Sequence, residues 1–204
     1  PLSREHIGVG FRAIWQMMIQ YPQGTTCFTT KQCKKLQARY LPIFLSKMGI
    51  NRSTATAVRH GPPSYGGMEI FQLETEQGVQ HTSLMVAHLR KDDEVGRMLN
   101  ISIDHLQLQA GVSWPVLSQP GHAQCLYVDP CHVTNTWEFL DNIGSHIQLE
   151  PDTWMRPQRK GDCFIMEDLA NLPIFQSIEL VHAQWCRLYL GATTLVDIST
   201  SNGH

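Results

Sequence analysis

The side chains best suited to chemistry in this 204-residue chain are cationic, and they are concentrated near its start. Residues 1–60 hold nine Lys or Arg against one acid, a balance of +8, whereas residues 61–204 hold seven against 17, a balance of −10. Clustered cations favour a polyanion, because each neutralised phosphate releases condensed counterions. The basic part is therefore predicted to bind nucleic acid. The alternative is a basic helix that docks on an acidic protein surface.

Four of these cations have the spacing of one helical face. They lie three or four residues apart, and residues at such spacings share a face of an α-helix. They are Lys31, Lys34, Lys35 and Arg39. The apolar residues of the same segment form a separate stripe, which consists of Cys33, Leu36, Tyr40, Leu41, Phe44, Leu45 and Met48. The pattern predicts an amphipathic helix with a Thr29 cap, a stop at Gly49 and a kink or break at Pro42.

The stretch INRSTATAVRHGPPSYGG, residues 50–67, follows that helix. Three of its side chains can donate to phosphate oxygens, namely Arg52, Arg59 and His60. Five other residues set its shape, because Gly61, Pro62 and Pro63 stiffen the backbone while Gly66 and Gly67 permit a positive φ or a close approach. The stretch is predicted to be a shaped loop near a nucleic-acid backbone. The alternative is a purely structural turn, in which Arg59 caps a helix and His60 is a satisfied hydrogen-bond partner.

Motifs for catalysis or metal binding are missing from the sequence. Polymerases and nucleases gather carboxylates around two metal ions, whereas the run Asp92, Asp93 and Glu94 is better explained as a helix start. YVDP at residues 127–130 carries one aspartate where a polymerase turn has two. Two cysteine pairs are separated by five residues, wider than the spacing of structural zinc sites. We therefore expect no catalytic residue, no metal site and no cofactor.

The periodicity predicts a mainly α fold with short irregular or strand segments. Upstream of the basic helix lies a helix that ends at Pro22, with a core side of Phe11, Ile14, Trp15, Met18 and Ile19. Two helices are expected in residues 73–111, with a break at 91–93, and one helix is expected near 134–143. Two more are expected after residue 163; they separate at 172–173, and Ser177 caps the second of them. Short strands are expected at 124–128, from 146 and from 192. Composition divides the chain into 1–111, a proline-rich connector at 112–133, and an acidic region at 134–204.

Several segments together resemble a known family. GINRSTATAVRHGPPSYGG, EQGVQH, LQLQAGVSWPVL, WEFLDNIGSHIQLE and CRLYLGATTLVDIS are similar to the region downstream of the catalytic domain in non-LTR (LINE-type) retrotransposon reverse transcriptases. The resemblance covers residues 21–199, and departs from the family at Met68, Glu69 and Ile70, where glycines are more usual. It implies a helical, bundle-like thumb and connection region that holds RNA or an RNA–DNA hybrid against a palm domain upstream.

The resemblance and the composition lead to the same expectation about function. We expect a non-catalytic, primer- and template-holding segment of a reverse transcriptase-like polypeptide, because the carboxylates of the palm have no counterpart here. A protein-interaction module is the second hypothesis, and a hydrolase that uses His, Asp or Cys is the third. The sequence contains no apolar run long enough to span a membrane and no signal-peptide pattern, so an intracellular location, cytoplasm or nucleus, is expected.

Overall fold

The protein is mainly helical, as predicted. The computed structural model describes residues 3–149 and 160–199. Contacts between Cα atoms divide the chain into two compact units, Pro1–Leu84 and Met85–His204. This division groups residues by packing, whereas the three-region division predicted above rests on composition and stays a prediction. Within the described ranges, no helix has the length and apolar character that a membrane crossing requires.

The first unit is built from helices that enclose an aromatic core. It contains α1 (Arg4–Gly10), a π-helical turn (Phe11–Gln16), α2 (Met17–Gln23), α3 (Thr30–Lys47) and α4 (Thr56–His60). A 3-10 turn at Pro63–Tyr65 follows, and α5 (Leu73–Lys91) begins in this unit and ends in the second. The buried core residues are Phe11, Cys33, Tyr40, Leu41, Leu45, Ile70, Phe71 and Leu73. The rings of Phe11 and Phe44 meet edge-on at 4.5 Å, a geometry that aromatic pairs favour.

The predicted core side of the first helix is partly wrong. Phe11 is buried and Trp15 and Ile19 pack against the core, but Ile14 and Met18 are 63% and 66% exposed. The cause is the π-helical turn at Phe11–Gln16, which is wider than an α-helical turn and changes the direction of Ile14 within it and of Met18 after it. Pro22 also lies inside α2, which continues to Gln23.

α3 begins and ends where the sequence predicts. Thr29 caps it, since its hydroxyl accepts from the Gln32 backbone N–H while the Gln32 side chain accepts from the Thr29 N–H. Gly49 follows its end with φ 72°, a conformation that glycine adopts without a steric penalty. The predicted break is wrong, because the helix continues through Pro42.

The second unit contains the remaining helices. These are α6 (Glu94–Ala110), α7 (His132–Asn142), α8 (Ile165–Asn171) and α9 (Ser177–Leu190), with 3-10 turns at His122–Gln124 and Leu195–Asp197. The predicted break near residue 92 is confirmed, since Asp93 caps α6. Gln176 caps α9 together with Glu179, so Ser177 is the first helical residue rather than the cap.

Buried polar groups connect the end of α6 to the rest of the second unit. The Gln107 side chain donates to the carbonyls of Val112 and Trp114 and accepts from the Val116 N–H. Arg187 of α9, 3% exposed, donates to the carbonyls of Leu108 and Gln109. Carbonyls at a helix C-terminus have no partner within the helix, so these contacts satisfy groups that would otherwise be buried unpaired.

The predicted strands do not form in the described ranges. A 3-10 turn and bends occupy residues 122–128, and residues 145–149 are irregular. The rest of the strand expected from residue 146 falls on 150–159, outside the described residues. From residue 192 the chain makes one isolated antiparallel bridge, between Thr194 and Phe164, and then turns. Isolated pairs of this kind lack the neighbouring strands that stabilise a sheet.

Candidate nucleic-acid interface

The basic face of α3 is exposed. Lys31, Lys34, Lys35 and Arg39 are all solvent-exposed. The opposite side of the same helix is buried in the aromatic core through Cys33, Tyr40, Leu41 and Leu45. α3 therefore holds the four cations on a surface whose orientation is fixed by the packing of its other side.

These cations are not neutralised by neighbouring acids. Among the described residues, ion pairs involve only His88, Lys91 and Asp93, which lie in the second unit. An exposed cation without a carboxylate partner keeps its full electrostatic attraction for phosphate and loses no internal ion pair on binding. The face of α3 is thus a set of unneutralised donors.

Arg52 extends the basic surface beyond the end of α3. The residue is exposed, and its guanidinium donates to the Ser46 hydroxyl through Nε at 3.4 Å and Nη2 at 3.3 Å. The turn that carries it is held by Asn51, whose side chain accepts from the Ser53 N–H at 2.8 Å. These contacts keep Arg52 beside the last turn of α3 while its charge remains accessible.

Arg59 is half-buried in the last turn of α4. Its Nη2 donates to the Thr56 hydroxyl at 3.1 Å, so the side chain folds back along its own helix. Its Nε–H is buried and makes no hydrogen bond with a described residue. Unpaired buried donors are uncommon in folded proteins, because the group has lost its hydration without compensation.

Both ring nitrogens of His60 are used within the first unit. Its Nδ1 donates to the carbonyl oxygen of Ile70, and its Nε2 faces the side-chain amide of Gln37 at 3.3 Å. Because a carbonyl only accepts, Nδ1 carries the proton and Nε2 accepts from Gln37. The Gln37 carbonyl in turn accepts from the Leu73 N–H at the start of α5. His60 thus connects α4 to α3 and to the segment that leads into α5. This agrees with the alternative given above, in which His60 is a satisfied hydrogen-bond partner.

The glycines and prolines after His60 form a closed backbone turn. Gly66 has φ 76°, and the N–H of Gly67 donates to the Pro62 carbonyl at 3.0 Å. A Cβ on Gly67 would lie 1.9 Å from the carbonyl oxygen of Gly61, and one on Gly61 would lie 2.4 Å from that of Ala57. The two glycines are therefore required by close backbone packing. Pro63 begins the 3-10 turn, where its missing N–H costs nothing.

A cleft of about 390 Å³ lies between α3, α4 and the start of α5. Its lining includes three of the predicted phosphate donors, Lys34, Arg59 and His60, together with Gln37, Leu41, Gln72 and Glu74. The Glu74 carboxylate accepts from the Thr30 hydroxyl at 2.8 Å. Burial and the nearby charge of Glu74 raise the pKa of the Cys33 thiol to about 11, so this cysteine at the cleft is an unreactive core residue.

The structure brings some of the predicted site residues together and keeps others apart. Lys34, Arg59 and His60 line one cleft. Lys31, Lys35, Arg39 and Arg52 do not line it. Sequence reasoning missed the polar residues Gln37, Gln72 and Glu74. Gln37 could have been identified from the sequence, since it is a polar residue on the otherwise apolar side of α3.

Two of the acidic side chains considered as catalytic groups, Asp93 and Asp129, have other contacts. Asp93 caps α6 through the Gly96 N–H and pairs with His88 at 2.8 Å. Asp129 accepts from the Gln109 amide at 2.7 Å. In residues 3–149 and 160–199, no three His, Cys, Asp or Glu side chains come together as metal ligands could.

Known proteins give no further guide to the site. Comparison with protein families, curated proteins and solved structures finds no match to this chain. The resemblance to reverse transcriptases therefore stays a prediction from sequence motifs.

Proposed function

We propose that this chain is a non-catalytic segment that binds RNA or an RNA–DNA hybrid with little sequence preference. The observation that supports the proposal is the exposed face of α3, whose four cations make no ion pair with a described residue. Phosphate contacts of this type position a strand without reading its bases. Arg52 and Arg59 add donors beside this face, and His60 holds the elements that carry them.

In a longer polypeptide, such a segment holds primer and template against a catalytic domain. This part of the proposal rests on the resemblance to the thumb and connection region of non-LTR reverse transcriptases, and it names an upstream palm domain as the partner. An upstream reading frame that encodes a Tyr-x-Asp-Asp motif supports it, and one that encodes an unrelated domain contradicts it.

The salt dependence of binding tests the proposed interface. If Lys31, Lys34, Lys35 and Arg39 neutralise about four phosphates, the logarithm of affinity falls against the logarithm of salt with a slope of about −3 to −4. Each single change of one of these residues to Ala makes that slope less negative by about one unit. Fluorescence anisotropy with a labelled RNA–DNA hybrid, measured over a range of salt concentrations, gives the slope directly.

A charge-matched variant separates this interface from general attraction. Arg90, Lys91, Arg97 and Lys160 are also exposed, and changing these four to Ala removes the same charge from the acidic part of the chain. We expect this control to keep the slope of the wild type. A quadruple α3 variant that folds normally and binds with an unchanged slope contradicts the proposal.

The non-catalytic part of the proposal has its own assay. We expect no primer extension by the isolated chain with magnesium or manganese, since its sequence lacks the carboxylate motif that holds two metal ions. Extension above a control without protein, from a preparation free of contaminating polymerase, contradicts it.

A protein-interaction module is the second candidate, in which the basic helix docks on an acidic partner. The observation in its favour is α9, which buries Gln184 and Arg187 and exposes Ile178, Trp185 and Tyr189 by 67%, 59% and 91%. Exposed apolar groups at helical spacing are typical of contact surfaces. Loss of an acidic protein partner in the quadruple α3 variant, together with unchanged nucleic-acid binding, supports this candidate over the first.

A further inference from the structure

The lining of the cleft beside α3 has cationic, polar and apolar parts. Lys34 and Arg59 contribute positive charge, while Gln72 and Glu74 contribute amide and carboxylate groups and Leu41 contributes an apolar wall. The volume of about 390 Å³ falls within the range of sites for small organic ligands, about 300–1,000 Å³. A lone phosphate ion fills only a small part of it.

The cationic lining suits a phosphate group. Neither Lys34 nor Arg59 pairs with an acid in the described part of the chain. The Nε–H of Arg59 is buried and has no hydrogen-bond partner among the described residues, where the guanidinium donates only to the Thr56 hydroxyl. A rotation of this side chain toward the cleft would exchange that neutral contact for charge-assisted hydrogen bonds to phosphate oxygens, which are stronger.

The carboxylate of Glu74 disfavours phosphate as the whole ligand and indicates which other group the ligand carries. An ionised carboxylate only accepts hydrogen bonds and repels a phosphate placed next to it. Its natural partner on a nucleotide is an exocyclic amino group, as in the pairing of Glu with the N4 amino group of cytosine. The Gln72 amide, which makes no side-chain hydrogen bond with a described residue, can both donate and accept at a base edge.

We propose that this cleft binds one unstacked nucleotide whose base carries an amino group, with its phosphate at Lys34 and Arg59 and its base edge at Glu74 and Gln72. The proposal rests on the proposed function, because the nucleotide belongs to the strand that the basic face holds. The cleft would give the interface a base preference at one nucleotide position, whereas the basic face of α3 binds without sequence preference.

Cytidine and uridine 5′-monophosphate form a matched pair of probes. They have similar size and charge, but cytosine donates through an amino group where uracil accepts through a carbonyl. Binding is followed by the NMR signal of the Arg59 Nε–H, assigned from its loss in Arg59→Lys. We expect cytidine monophosphate to move this signal saturably, uridine monophosphate to bind about tenfold more weakly, and cytidine or inorganic phosphate alone to bind more weakly still.

Two lysines of α3 provide the matched comparison. Lys34 lines the cleft, whereas Lys47 lies neither in the cleft nor among the four cations of the basic face, although both lysines are exposed. We expect Lys34→Ala to weaken the binding of cytidine monophosphate about tenfold and Lys47→Ala to leave it within about twofold. Glu74→Gln, which keeps an oxygen for Thr30, removes the difference between the two nucleotides. Circular dichroism and thermal unfolding verify that each variant is folded.

Three results would overturn the proposal. They are an Arg59 signal that cytidine monophosphate does not move, equal losses of binding in Lys34→Ala and Lys47→Ala, and inorganic phosphate binding as tightly as the nucleotide. The site and the proposed function can fail separately. If the protein binds the hybrid tightly and with salt dependence but the Arg59 NMR signal does not respond to cytidine monophosphate, only the proposed nucleotide site is contradicted. If the Arg59 signal responds saturably but the protein does not bind the hybrid, only the proposed function is contradicted.

Discussion

His60 and Ile70 are joined by a hydrogen bond from the imidazole Nδ1 to the main-chain carbonyl, across the glycine- and proline-rich turn. The backbone reinforces the same closure, since the Ile70 N–H donates to the Arg59 carbonyl at 2.9 Å. The turn is thus closed by the residue that precedes it and the residue that follows it. This contact gives His60 a structural role that its position beside Arg59 in the sequence does not reveal.

We predict that His60→Ala destabilises the protein by about 1–3 kcal/mol, because the Ile70 carbonyl and the Gln37 amide both lose their partner. Urea unfolding measures the change. His146→Ala is the matched control, since that histidine is exposed, and surface changes cost within about 0.5 kcal/mol. If His60→Ala is as stable as the wild type but binds nucleic acid more weakly, His60 contacts the nucleic acid and does not stabilise the fold.

We predict that Glu69→Gly stabilises the protein. Glu69 has φ 52°, a conformation that costs a residue with a Cβ about 1–2 kcal/mol. Glycine avoids this cost but loses more backbone entropy on folding, so a net gain of about 0.5–1 kcal/mol is expected. Glu69→Ala removes the same charge and keeps the Cβ. Equal stabilities of the Gly and Ala variants in thermal unfolding would show that backbone conformation is not the cause.

Most of the helices could be predicted from sequence because their signals are local, whereas α4 forms within residues 50–67, which the sequence predicts to be a loop. The Thr29 cap, the apolar stripe and Gly49 define α3 within about twenty residues, and Gly111, with φ 60°, ends α6 in the same way. The exposed side of Ile14 could not be predicted, because a helical wheel assumes a regular α-helix and the π-helical turn breaks that assumption.

The basic face and the cleft differ in how far sequence alone could lead. The face belongs to one helix, so the spacing of Lys31 and Lys35 was sufficient to predict it. The cleft combines Lys34, Arg59 and Glu74, which lie on three helices and come together only through tertiary packing. No periodicity within one segment contains that information.

We predict that the first unit loses stability as the pH falls below about 6.5. His81 is 1% exposed and donates through Nε2 to the carbonyls of Gln23 and Thr26. Burial lowers the pKa of His81 in the folded state, so the unfolded chain, with a His pKa of about 6.5, binds the proton first. Stability is full above that value and falls as pH drops toward the folded-state pKa.

Chemical denaturation between pH 5 and 8, scanned with the wild type and His81→Gln, measures this dependence. The glutamine amide keeps a donor but does not titrate in this range, so we expect a flatter profile for His81→Gln than for the control His146→Gln. In the second unit, His122 has an effect of the same sign, because burial also lowers its pKa. Parallel profiles for His81→Gln and the wild type would show that His81 does not carry the effect.

We predict that Arg187→Ala is among the most destabilising single changes in the second unit. The guanidinium is buried at the C-terminus of α6, where it donates to the carbonyls of Leu108 and Gln109, and its Nη1 reaches that of Ala192 at 3.4 Å. Burial lowers the pKa of Arg187, yet a guanidinium stays charged at neutral pH and also suits the negative end of the helix dipole. Hydrogen bonds from a charged donor are worth about 1.5–3 kcal/mol each, so the loss should exceed about 2 kcal/mol.

Arg187→Lys separates charge from geometry at this position. Lysine keeps the charge but lacks the planar fork that reaches several carbonyls, so we expect it to recover only part of the lost stability. Arg97→Ala, which removes an exposed arginine of the same unit, should change stability by less than about 0.5 kcal/mol. Full recovery with lysine would mean that charge at the end of α6 is sufficient. If Arg187→Ala and Arg97→Ala change the free energy of unfolding equally, the hydrogen bonds of Arg187 do not stabilise this unit.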